Sequence, residues 1–212
     1  MTSASENSLG KDQPPAITSS DAAWVRIPVP LAHDVLLEIC KDAETLFRLN
    51  PYYYFKIFER GDQKIWRAEF ENQSNQTQNT VSITFNVDPG CGATAWYSTG
   101  LKKRTVFTAE LATEGATLTI TDDYEGISAE EREQRLAEVD KSLSAWGESL
   151  RVYFVRLRRY SWIPGWRWYI QRFWMPMKPS ARRIVWLLCL ITLVEFAFFL
   201  FVLLIWMVEQ NK

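Results

Sequence analysis

The chain has 212 residues, 47% of them hydrophobic, and a formal net charge of −1 at pH 7. That sum hides an asymmetry: residues 1–150 hold 14 Lys/Arg and 23 Asp/Glu, whereas residues 151–183 hold 9 Lys/Arg and no acid. A basic stretch of this kind, next to an apolar run, points to anionic lipid headgroups and away from nucleic acid.

Met1 to Ser20 is polar, with Pro14-Pro15 and no apolar signal-peptide core, and reads as a disordered lead-in. Trp24 to Val29 alternates, with Val25, Ile27 and Val29 on one face and Arg26 on the other. That predicts a short strand ended by Pro28 and Pro30. Leu31 to Cys40 carries Val35, Leu36 and Ile39 at helical spacing. A second short helix, Ala43 to Leu49, stops before Asn50-Pro51, because the residue before proline avoids the helical region.

A run of strands follows. Tyr53 to Glu59 is rich in aromatics, and Lys64 to Glu71 puts Trp66, Ala68 and Phe70 inward. Asn72 to Asn79 reads as a polar loop. Val81 to Val87 turns Val81, Ile83, Phe85 and Val87 inward. Ala93 to Thr99 is next, then Arg104 to Leu111 with Phe107, Ala109 and Leu111 on one side, then Thr117 to Tyr124 with Leu118 and Ile120 inward. Alternation with short turns predicts an antiparallel sheet with one wet face and one dry face. The dry face needs a cover.

The expected cover is one long helix. Ser128 and Glu131 make a capping-box start. Leu136, Val139, Leu143, Trp146, Leu150, Tyr153, Leu157 and Tyr160 then step by three and four, which is one face of a helix. From Arg151 on, the exposed side is basic, and Pro164-Gly165 breaks the helix.

Arg156, Arg159 and Trp162 lead into an aromatic, arginine-rich stretch: Trp166, Arg167, Trp168, Tyr169, Arg172, Phe173 and Trp174. With Arg182 and Arg183 beyond it, this stretch suits a bilayer interface, rings at headgroup depth and guanidinium groups on phosphates. The alternative is a linker packed on its own domain. Ile184 to Val208 has one charge and no Gly or Pro. As a helix it is about 37 Å long, enough for a hydrocarbon core of about 30 Å. It predicts a single-pass C-terminal anchor, with Trp186 and Trp206 at its two ends. The Lys/Arg bias before the span predicts a cytoplasmic domain, on what reads as a bacterial inner membrane. Glu195 stands at mid-span, either as a contact to another membrane protein or a second copy, or as a protonated passenger. The expected divisions are residues 21–160, 161–183, 184–208 and 209–212.

The order of strand, two short helices, six antiparallel strands and one long helix is that of the α+β helix-grip fold. In that fold a curved sheet of about seven strands wraps on a long C-terminal helix. The segment around Asp42, Leu46, Asn50 and Pro51, after the helix HDVLLEIC, resembles the START-like (SRPBCC) superfamily, which includes polyketide cyclases and coenzyme Q-binding proteins. The strand LTITDDYEG leading into the long helix resembles it too, and the likeness covers about residues 22–155. The resemblance implies a cavity between sheet and helix for an apolar ligand. Its candidate walls are Trp66, Phe70, Ile83, Phe85, Tyr97, Phe107, Tyr124 and Trp146, with Ala109 as a small inward residue. The same side chains could instead fill the space as core. The mouth is expected to face the membrane, because the long helix continues into the interfacial stretch.

Chemistry has little support in the residues. His33 is the only histidine and reads as a surface or capping residue, so no Ser-His-Asp set assembles. Cys40, Cys91 and Cys189 show no metal or redox spacing. Neighbouring strand positions send Asp122 and Asp123 to opposite faces. Parity turns Asp122 inward, but turn or cap bonding near the strand end is its expected role. No catalytic residue, metal or cofactor is assigned. Three functions remain: binding or transfer of a lipid or isoprenoid quinone at the membrane face, an assembly subunit acting through Glu195, and a cyclase-like enzyme.

Overall fold

The structure, a computed structural model, describes residues 22–62, 64–126 and 141–210. The expected lead-in at residues 1–20 and the expected helix start at Ser128, Glu131, Leu136 and Val139 lie outside the described residues. The elements are β1 (Ala22–Val29), α1 (His33–Cys40), α2 (Ala43–Arg48), β2 (Tyr53–Arg60), β3 (Ile65–Asn72), β4 (Thr77–Asp88), β5 (Gly92–Tyr97), β6 (Arg104–Leu111), β7 (Ala116–Asp123) and α3 (Leu143–Tyr160). A short α4 (Trp166–Tyr169), a π-helical turn (Ile170–Trp174) and α5 (Pro179–Gln210) complete the chain.

The strands form one antiparallel sheet in the order β1-β7-β6-β5-β4-β3-β2, which with α3 across its dry face is the helix-grip arrangement. The first strand closes the sheet against the last, from Ala22 opposite Asp123 to Val29 opposite Ala116. Pro28 therefore sits inside β1 instead of ending it; β1 is an edge strand, where a residue without an N–H is tolerated. The polar loop expected from Asn72 to Asn79 is shorter than its composition suggests. The Asn72 and Asn75 side chains accept bonds from the Ser74 and Thr77 amides at 2.9 and 3.3 Å, and β4 begins at Thr77.

Three predicted inward residues are exposed. Val87 and Leu111 keep their parity but lie at strand ends, beyond the covering helices, and Leu111 is 79% exposed. On α1 the buried stripe is Leu36, Ile39 and Cys40, which leaves Val35 in solvent.

The dry face is covered by α1 and α2 as well as α3. Phe47 of α2 drives into the middle, with ring centroids 5.6 to 6.4 Å from Phe58, Tyr97, Phe107 and Trp146. Full burial of one such ring contributes about 1.5–3 kcal/mol. Helix α3 buries Trp146, Leu150, Tyr153, Phe154 and Leu157 on one stripe. Gly147 lies on that stripe where space is tight: a β-carbon there would meet the Val25 methyls at 3.0 and 3.1 Å, so Val25 would have to give by a few tenths of an ångström.

Beyond α3 the chain doubles back. Gly165, with φ of 80°, supplies a left-handed step that an L side chain resists. The segment then runs back along α3 and α2. Met175 is buried, and Trp166 and Ile170 pack on the core. The expectation that α3 points its own continuation at the membrane is thus replaced by a hairpin-like return. Helix α5 leaves from there, with 30 residues, Ala181–Gln210, long and apolar enough to cross a membrane. Every residue from 186 to 210 is exposed, including Glu195.

Candidate functional site

A cleft of about 280 Å³ opens at one end of the sheet, between the β3–β4 turn, the β5–β6 loop and Tyr124. Its apolar wall is Tyr53, Phe70, Val81, Tyr97 and Leu101; its polar wall includes Asn72, Asn75, Thr77, Asn79 and Thr99. Lys102 lies between the two.

The placement of Lys102 follows from the loop that carries it. Gly100, with φ of 103°, turns the chain so that Leu101 and Lys102 fold in rather than out. The Lys102 ammonium donates to Asp122 Oδ2 at 3.2 Å and to the Tyr53 hydroxyl at 3.1 Å. It also stands 5.3 to 5.8 Å from the ring centroids of Tyr53, Tyr97 and Trp146. These ring faces carry negative charge density and favour the cation. Asp122, fully buried behind the wall, also accepts from Thr105 Oγ1, which contacts the Tyr97 hydroxyl at 2.9 Å. A charged pair has therefore been drawn into an aromatic interior, with hydrogen bonds on both members, as buried charge requires.

The residues that carried the resemblance tie α2, the start of β2 and the start of α3 together. Asp42 caps α2 through the Thr45 amide at 3.1 Å. Leu46 is buried, and its carbonyl accepts from Trp146 Nε1 at 2.8 Å. Asn50 is buried too; its Nδ2 donates to Ser142 Oγ at 2.8 Å and its Oδ1 accepts from the Tyr52 amide. These bonds pin the start of α3 against the start of β2, beside the cleft.

The expected wall residues divide. Phe70, Tyr97 and Tyr124 line the cleft. Ile83 and Phe85 are buried in the core, and Phe107 and Trp146 pack edge to face at 5.5 Å. Trp66 stacks on Phe58, at 4.9 Å. Ala109 lies where β6 meets α1, its carbonyl accepting from His33 Nε2 at 3.3 Å. That bond also gives the lone histidine a structural role. The turn-bonding role expected for Asp122 belongs to Asp123, which accepts from the Glu125 amide at 3.0 Å and pairs with Arg104 at 2.8 Å. The paired acid and base missing from the sequence reading is the Asp122–Lys102 pair. Parity had already turned Asp122 inward; Lys102, a lysine in a turn, carries no signal of burial.

The aromatic stretch has two faces. Trp162 and Trp168 project into solvent, with Arg159, Arg167 and Arg172 also exposed. Trp166, Trp174, Arg156 and Arg182 instead line a groove of about 200 Å³ against α3. The start of α5 is clasped to the domain: Arg182 donates to the carbonyls of Arg48, Met175 and Met177 at 2.8 to 3.1 Å. Arg183, the next residue, is exposed. The Lys178 ammonium sits 4.3 Å from the centre of the Tyr54 ring. Tyr54 follows Tyr53 on β2, so the start of α5 and the cleft lie at the same end of that strand, on opposite faces of the sheet.

No protein-family model matches the chain, and neither does any curated protein. Solved structures with a similar fold include the di-domain aromatase/cyclase StfQ of steffimycin biosynthesis, at 15% identity and a TM-score of 0.46, with 65% of this chain covered. The chain spans about half of StfQ, 52% of its length. The ZhuI aromatase/cyclase of Streptomyces sp. R1128 is similar at 15% identity and a TM-score of 0.47, over 66% of this chain and 97% of that one. A protein of Arthrobacter aurescens is similar at 11% identity and a TM-score of 0.48, over 64% and 86% of the two chains.

Proposed function

We propose that this protein is a membrane-anchored binding module that takes one amphipathic, single-ring molecule of the isoprenoid quinone class from the cytoplasmic face of a bilayer. The observation that carries this reading is the cleft, with aromatic walls and with Lys102 and the Tyr53 and Tyr97 hydroxyls at its inner edge. Aromatic walls stack on a ring. The Lys102 ammonium and the Tyr53 hydroxyl are donors suited to ring carbonyls, whereas the Tyr97 hydroxyl gives its one hydrogen to Thr105 Oγ1, which itself donates to Asp122. At about 280 Å³ the cleft is just below the usual range for small-molecule pockets, about 300–1,000 Å³, which suits a headgroup and leaves the tail outside. The anchor supports the reading by its position, because Lys178 before it stands on Tyr54, at the end of β2 whose other face carries the cleft-wall Tyr53. A tail can then remain in the bilayer while the ring is held.

The test is to extract the full chain in mild detergent and identify its bound small molecules by mass spectrometry. An isoprenoid quinone should co-purify with the parent. Val81→Phe, which fills the cleft from a wall position, should lower its amount at least tenfold while the melting temperature holds. Equal retention by a stably folded Val81→Phe protein would remove the cleft as the site.

A second reading rests on the same Lys102–Asp122 pair. A bound 1,3-diketone would receive the Lys102 hydrogen bond on a carbonyl oxygen while its α-proton passes to water at the open cleft, which is enolisation of the cyclase kind. Turnover of a bound 1,3-diketone by the parent, lost in Lys102→Met, separates this from binding alone.

A further inference from the structure

The groove between α3 and the returning segment is a second concavity, apart from the cleft. Val152, Trp166, Ile170 and Trp174 give it apolar walls, and Arg156 and Arg182 give it charge. The one acid on its rim, Glu148, is engaged by Arg151 in two bonds of 2.7 and 2.8 Å. Arg156 has no ion pair among the described residues. Arg182 commits its Nε and one Nη to backbone carbonyls, which fixes the side chain in place.

Depth decides what such a groove meets. The apolar run begins at Ile184, two residues after Arg182, or about 3 Å along a helix axis. The headgroup layer on each side of a bilayer is about 5–7 Å deep. With α5 across the membrane, Arg182 and the groove it lines therefore lie in that layer. There the abundant anion is the phosphodiester of a lipid. The fixed Arg182 guanidinium and the Arg156 guanidinium at the groove's exposed side match its oxygens, and tryptophan rings match the glycerol and upper chain.

We propose that this groove seats the phosphodiester headgroup of a single membrane phospholipid, with its phosphate on Arg156 and Arg182 and its glycerol region against Trp166 and Trp174. This is a groove site for one lipid, in contrast to the diffuse attraction of Arg158, Arg159, Arg167 and Arg172 outside it. It rests on α5 as a membrane span and not on what occupies the cleft.

The experiment uses the full chain in detergent, with native mass spectrometry after addition of dioctanoyl-phosphatidylglycerol. The parent should retain one lipid. Arg156→Gln should weaken retention at least tenfold. Arg158→Gln, which removes the same charge from an exposed position on the same helix outside the groove, should stay within about twofold. Val152→Trp, which fills the groove, should match Arg156→Gln; if that variant does not fold, the two arginine variants decide. Equal losses from Arg156→Gln and Arg158→Gln, or no loss from Arg156→Gln, would overturn the site in favour of diffuse charge. Inorganic phosphate at the same concentration should not displace the lipid. Displacement would make this a small-anion site and overturn the lipid assignment. A cleft ligand appears in the same spectra as a separate mass, so the two readings fail or stand independently.

Discussion

The buried pair offers the sharpest test of the interior. The side chains of Lys102 and Asp122 are 11% and 1% exposed, with 3.2 Å between the charged atoms. At an effective dielectric of about 20, their gross attraction is about 5 kcal/mol. Most of it offsets the cost of taking both groups out of water, so the pair adds little net stability. Removing one member is another matter, since the other charge stays buried; losses of about 3–5 kcal/mol are usual. Lys102→Met should be the worse change, because the carboxylate that loses its ammonium is the more deeply buried of the two, 1% against 11% exposed. Asp122→Asn should cost less, because the ammonium keeps the Tyr53 hydroxyl and three ring faces. The double variant Lys102→Met with Asp122→Asn should recover part of the loss. For a domain of this size, about 3 kcal/mol lowers the melting temperature by about 10 °C. Tryptophan fluorescence during heating of the detergent-solubilised chain reads all four proteins. If the two single losses simply add in the double variant, or if Lys102→Met melts with the parent, the pair is not coupled as described.

Other expectations follow from single features. Trp146→Ala should destabilise by about 3–5 kcal/mol, seen as a lower denaturant midpoint, since it removes a fully buried ring and leaves the Leu46 carbonyl unpaired. Gly147→Leu should lower the melting temperature more than Ser144→Leu on the exposed side of α3, because only the former meets Val25; equal effects would refute the close packing of α3 on β1. Burial pushes the Cys40 thiol up to about 12, so at pH 8 a thiol reagent should label exposed Cys91 and spare Cys40 until the protein unfolds. Carbonate washing should leave the chain in membranes. Protease outside spheroplasts should spare residues 22–160, and digestion there would reverse the proposed orientation.

Much of the fold was legible because strands with one wet face must alternate. Trp66, Ala68 and Phe70, or Val81, Ile83 and Phe85, declare a sheet without help from anything distant. Parity does not say how far a covering helix reaches, and Val87 and Leu111 are exposed for that reason. The site was legible only in halves. Phe70, Tyr97 and Tyr124 were placed by alternation. Lys102 was not, because a lysine after a glycine turn is usually in water, and its burial depends on partners 20 and 49 residues away. The return of the chain after α3 was equally hidden. Pro164-Gly165 announces a break, but the direction of departure is set by Met175 finding a socket beside Thr45.

The clasp at Arg182 bears on how the domain meets its ligands. A head on a slack linker explores a hemisphere and can deliver cargo to acceptors well above the bilayer. Here α5 is mounted on α2 and the returning segment through Arg182, so with α5 across a membrane, as proposed above, the domain would be held at one height and one tilt. Its encounters would then be two-dimensional. It would meet only what diffuses laterally within the leaflet, at rates set by membrane fluidity, and an acceptor for its cargo would itself have to be embedded or docked in the same plane.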